Sequence, residues 1–115
     1  MLNKVLLVGR LTSDPELRQA GATPVASLRV ATNTFAGKDP DSGERREHTE
    51  FMTLVLFGRQ AQVAAEHLKK GRLVYADGRL QTRSWEGQDG LQHSSTEVVV
   101  DSLQFLSPRS ERQAV

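Results

Sequence analysis

EFMTLVLFGRQAQVAAEHLKKG, residues 50–71, changes its hydrophobic period at Gly58. Before the glycine, Met52, Leu54 and Leu56 share one face of an extended segment, and Phe51, Thr53, Val55 and Phe57 share the other, because side chains alternate along a strand. After it, Ala61, Ala64, Ala65 and Leu68 follow the spacing i, i+3, i+4, i+7 of a single helix face. Lys69 and Lys70 stand where a helix C-terminus favours cations, and Gly71 is placed as its stop. The spacing predicts one helix of about three turns directly after a strand.

Outward from this stretch, aliphatic and β-branched runs bounded by Gly, Pro, Asp and Ser predict strands at residues 3–11, 24–35, 48–57, 72–85 and 94–106. Three strands, a helix and two strands joined by a hairpin make the order of an all-β, five-stranded OB-fold barrel with one α-helix between strands 3 and 4. An open sandwich would use similar strands. The chain has 115 residues, enough for one domain and not two. That domain is read as residues 1–107, followed by a short polar C-terminal tail at residues 108–115. With no cysteine, a disulfide scaffold and a thiolate metal site are excluded. No apolar run approaches the roughly 18–20 residues of a membrane helix, so a soluble cytoplasmic chain with no membrane partner is expected.

Fifteen basic and fourteen acidic residues nearly cancel to +1, but they are unevenly placed. Residues 1–38 hold five bases and two acids and residues 53–85 hold six and two, whereas residues 39–52 and 86–115 each hold two and five. A basic surface is compatible with this pattern.

Parity sorts the other strands in the same way. Ala26, Leu28 and Val30 oppose Arg29, Asn33 and Phe35; Val74, Ala76 and Leu80 oppose Tyr75, Arg79, Arg83 and Trp85, with Gly78 a potential bulge. If the aliphatic faces form the core, aromatics and arginines face outward together. Flat apolar rings beside cations are what single-stranded nucleic acid requires. Parity alone does not choose for residues 50–57: Phe51, Val55 and Phe57 could instead be core, with Met52, Leu54 and Leu56 against a partner subunit. Trp85, between Ser84 and Glu86 near a hairpin tip, reads as exposed, and Phe105 as packing.

LNKVLLVGRLTSDPELR, TEFMTLVLFGRQAQVAAEHLKKG, GRLQTRSWEGQDG and STEVVVDSLQFL, in that order over residues 2–106, resemble the bacterial single-stranded DNA-binding protein family. The resemblance implies an OB-fold, usually a homotetramer, that binds and protects single-stranded DNA in replication, recombination and repair, in the cytoplasm at the nucleoid. It implies base stacking on Phe35, Phe51, Phe57 and Trp85, and basic contacts at Lys4, Arg18, Arg59, Lys69, Lys70 and Arg83. Arg79, sharing a face with Arg83, joins the expected phosphate path. Met52 falls at a position that contacts a neighbouring subunit in family members. Phe35 and Phe51 stand where the best-known members have tryptophan, and Thr53 and Ser84 where some members are basic. The long linker and acidic tip through which the family recruits replication and repair proteins are not among these residues.

Catalysis is not expected. His48, His67 and His93 show no paired metal-ligand spacing. Asp39, Asp41 and Glu50 fall at calcium-loop offsets, but Gly43 and Glu44 occupy the fifth and sixth places, where a ligand and a glycine are needed. No catalytic residue, cofactor or metal is expected. The alternative is a primosomal-type OB-fold protein whose main ligand is a partner protein.

Overall fold

The computed structural model describes residues 1–106; the tail expected at residues 108–115 lies outside the described residues. The alternating segments form β1 (Val5–Leu11), β2 (Glu16–Ala20), β3 (Thr23–Lys38), β4 (Arg45–Phe57), β5 (Leu73–Glu86) and β6 (Gln92–Leu106), with α1 (Arg59–His67) between β4 and β5. The five expected strands are present. The sixth, β2, has no buried residue, hence no hydrophobic alternation to announce it.

Strand pairing runs β1–β5–β6–β4–β3 and returns to β1, closing a ring of five. The closure is short: Arg10↔Ala31 and Leu11↔Val30 join β1 to β3. β2 lies outside the ring, in a hairpin with β3 from Glu16↔Ser27 to Ala20↔Thr23. All neighbours are antiparallel except β4 and β6, which run parallel at Leu54↔Val98 and Val55↔Val99.

The ring encloses the aliphatic faces. Leu28, Val30, Leu54, Leu56, Val74, Ala76 and Val98 are wholly buried, and α1 adds Ala61, Ala64 and the following Leu68 to the same cluster. Met52 is half-buried against this cluster. The ambiguity of residues 50–57 is thereby resolved: Leu54 and Leu56 face inward, while Phe51 and Phe57 are half-exposed.

The helix is shorter than its spacing predicts. It ends at His67, and Leu68 is extended, its N–H donating to the Ala64 carbonyl at 2.9 Å. Lys69 and Lys70 therefore lie beyond the helix. Gly71 (φ 93°) is the turn into β5, not the helix stop. Its N–H donates to Leu11 O at 2.8 Å, so pairing with β1 draws the chain out of the helix. No helix among the described residues is long and apolar enough to cross a membrane.

Register between β5 and β6 shifts between Asp77↔Ser102 and Gly78↔Val100, leaving Asp101 as the extra residue of a bulge. The irregularity thus falls on β6, opposite the glycine. A Cβ at Gly78 would stand 2.1 Å from the Val99 carbonyl oxygen, which only glycine avoids. Beyond the bulge the inward parity of β6 changes from Val98 and Val100 to Leu103 and Phe105, which pack on the core. Gly78→Ala is accordingly expected to lower stability by about 1–3 kcal/mol, as overpacking does. Leu91→Ala, at an exposed hairpin tip, should stay within about 0.5 kcal/mol, both read by urea denaturation.

Candidate nucleic-acid interface

Paired residues in adjacent strands point to the same side of a sheet, so the register defines the outer face row by row. On β3 and β4 the outward rows are Val25↔Phe57, Ser27↔Val55, Arg29↔Thr53, Ala31↔Phe51, Asn33↔Thr49 and Phe35↔Glu47. Val55↔Val99 carries the same face onto β6. Arg79↔Val99, Gln81↔Glu97, Arg83↔Ser95 and Trp85↔His93 carry it onto β5. Phe35, Phe51, Phe57 and Trp85 thus lie on the same side of the sheet, 50, 52, 49 and 41% exposed respectively, while Val25, Val55 and Val99 of the same rows are buried.

Two long hairpin arms hold this surface open. The β3–β4 arm extends to Lys38↔Arg45, with an irregularity after Phe35 where Gly37 takes φ 98°. Its loop is residues 39–44, shorter than strand ends at 35 and 48 predict. The β5–β6 arm ends at Glu86↔Gln92.

Three of the four rings carry a guanidinium. Arg45 Cζ lies 4.5 Å from the Phe35 centroid, Arg29 Cζ 5.6 Å from Phe51 and Arg83 Cζ 4.8 Å from Trp85. His93 stacks on Trp85 with centroids 5.8 Å apart and planes inclined by 23°. Arg29, Arg45 and His93 were not among the sequence-derived contacts. Arg29 shares parity with Phe35, a signal available in the sequence; Arg45 and His93 become visible only through cross-strand register.

The expected cations divide into two sets. Arg79 and Arg83 stand on the aromatic face, and Arg18, opposite Val25, extends the Phe57 row onto β2. Lys4 is held by Asp77, which shares the β5 parity of Arg79, whereas Arg59, Lys69 and Lys70 come from α1 and the turn after it. Arg59 borders an apolar groove with Gln60, Val63, Leu103 and Phe105. The Lys70 N–H donates to Asp14 Oδ1 at 2.9 Å, tying its turn to the loop after β1. Three cations already have internal counterions: Lys4 with Asp77 at 3.4 Å, Arg79 with Asp101 at 3.6 Å and Arg83 with Glu97 at 3.3 Å. Among the described residues, no group of three or more His, Cys, Asp or Glu could hold a metal ion.

Asp89 organises the tip beside Trp85. Its carboxylate accepts the Leu91 N–H at 3.0 Å and lies 3.2 Å from His93 Nε2. The Leu91 N–H above all, and then His93, hold its pKa below the ordinary 3.8. A depressed acid stabilises the fold above its unfolded-state value, and that contribution fades as pH falls through the folded-state value. The Leu91 amide resonance is therefore expected to shift below about pH 4 in the unaltered chain and to lose that transition in Asp89→Asn, as read by NMR.

The chain is similar to known proteins. The model of the "Single-strand binding protein family" matches residues 2–106. A single-stranded DNA-binding protein of Bacillus cereus is 47% identical over 112 residues, which cover 96% of this chain and 63% of that protein. The chain thus spans somewhat under two thirds of that relative's length. A solved structure of Plasmodium falciparum SSB in complex with ssDNA superposes with a TM-score of 0.81 at 30% identity, covering 93% of this chain and 97% of the other.

Proposed function

The chain belongs to the single-strand binding protein family, and from that premise we propose that it binds single-stranded DNA without regard to sequence, by stacking bases on Phe35, Phe51, Phe57 and Trp85. The observation that carries this reading is the gathering of all four half-exposed rings on one side of the β3–β4–β6–β5 surface. Any base offers a π-face, so such a surface tolerates sequence, each stack contributing about 1–3 kcal/mol. Arg18, Arg79 and Arg83 take phosphates beside the rings, and Lys4, Arg59, Lys69 and Lys70 extend the cationic path around the domain. Duplex DNA, with its bases stacked inside, offers the rings nothing. The act is binding without chemistry, carried by residues 1–107, with residues 108–115 a tail apart from it.

A homotetramer belongs to the same proposal, with Met52 at a subunit contact. Leu6 and Val8, 64 and 50% exposed on β1, support burial against a second copy, because neighbouring exposed aliphatics favour an interface. The biological setting is the protection of single strands during replication, recombination and repair in the cytoplasm, beside the enzymes of those processes.

Titration with oligo(dT) should quench Trp85 fluorescence saturably, while duplex DNA should leave it unchanged. Phe35→Ala and Phe51→Ala should each weaken binding by about 1–3 kcal/mol. No quenching and no gel shift with the single strand would overturn the proposal in favour of a primosomal-type OB-fold protein that binds a protein ligand. Sedimentation of the chain at micromolar concentration should give tetramers, and monomers would contradict the assembly.

A further inference from the structure

Between Phe51 and Phe57 the outer face carries one fully polar row, Arg29↔Thr53, and one mixed row, Ser27↔Val55. The row Arg29↔Thr53 lies two residues from Phe51 and four from Phe57 along β4. Arg29 Nη1 donates to Thr53 Oγ1 at 3.4 Å while its Cζ stands 5.6 Å from the Phe51 centroid. Around it Ser13, Glu16, Ser27 and Thr53 line a cleft of about 260 Å³. Three hydroxyls and a guanidinium supply hydrogen-bond donors for an anion.

The cleft is positioned by the backbone. Thr12 donates to the Arg29 carbonyl with both its N–H, at 2.8 Å, and its hydroxyl, at 3.2 Å. The loop carrying Ser13 is thereby fixed to the residue whose side chain it adjoins. Asp14 fastens the far side of that loop to Lys70 N.

Arg29 also differs electrostatically from Arg79 and Arg83. Arg79 and Arg83 hold Asp101 and Glu97 within ion-pair distance, so a phosphate at either must compete with a carboxylate. Among the described residues, no carboxylate lies within ion-pair distance of Arg29. Glu16 bounds the cleft on its β2 side, which favours an anion on the Thr53 side of the guanidinium.

We infer that the Arg29–Thr53 cleft is a phosphate subsite for the backbone of a single strand passing from Phe51 to Phe57, with Arg29 as its anion-binding residue. The inference rests on the single-strand reading above. Neutralising one phosphate contact on a single strand contributes about 0.7 to the slope of log affinity against log salt. Arg79 and Arg83, already paired internally, contribute less than Arg29.

The test is the binding of oligo(dT) to the full chain between 50 and 500 mM salt. Arg29→Met should flatten the slope by about 0.7 and reduce affinity at 50 mM about fivefold relative to 500 mM, with an unchanged melting temperature. Arg29→Lys should retain the slope, since it retains the charge. An unchanged slope in Arg29→Met overturns the subsite while leaving single-strand binding intact. An equal loss of slope in both variants marks a structural role and overturns it too. Failure of the unaltered chain to bind overturns the single-strand reading and the subsite together.

Discussion

Burying Leu28, Val30, Leu54 and Leu56 forces the residues between them outward. A strand has two faces and a period of two, so once the aliphatics fill the ring, Arg29, Phe51, Thr53 and Phe57 have nowhere else to point. The parallel contact Val55↔Val99 extends that constraint to β6 and, through the β5–β6 hairpin, to Arg83 and Trp85. A slip of one residue in any of these pairings would move the rings inside and the leucines out. The hydrophobic core therefore stabilises the fold and sets the composition of the outer surface in a single step.

What that surface does follows from a comparison of magnitudes. An exposed guanidinium over an aromatic ring contributes about 0.5–1 kcal/mol, and a nucleobase on the same ring about 1–3 kcal/mol. By these magnitudes a nucleobase would displace Arg45 from Phe35 or Arg83 from Trp85, the exchange that the proposed single-strand binding requires. The carboxylates act in the opposite sense: Asp101 holds Arg79 in an exposed pair that contributes little to stability, and Glu97, only 13% exposed, holds Arg83 in a partly buried one. In the free chain the arginines thus rest on the rings or on internal acids, contacts that the proposed strand would exchange.

Much of this was legible in the residues. Alternation placed five strands to within a few residues of their ends, and the change of period at Gly58 located the helix. β2 escaped because all five of its residues are exposed and a strand without a buried face has no period to read. The helix end was misplaced because Gly71 and the two lysines fit a C-terminus locally, whereas pairing of the turn with Leu11 is a long-range constraint. Parity grouped Phe51 with Phe57 but left open which face was core, since closure of the ring decides it. The stacked partners Arg45 and His93 depend on cross-strand register, which composition and spacing do not contain. The resemblance supplied the aromatic set; the register shows that its members lie on one side of the sheet.

Whether this outer face, and no other surface, receives the bases is read by NMR of the chain with isotope-labelled aromatic rings, recorded with and without oligo(dT). Large, saturating shifts are expected at the rings of Phe35, Phe51, Phe57 and Trp85, with Phe105 and Tyr75 little changed. Binding that shifts Tyr75 or Phe105 and leaves those four rings unmoved would contradict that placement of the bases.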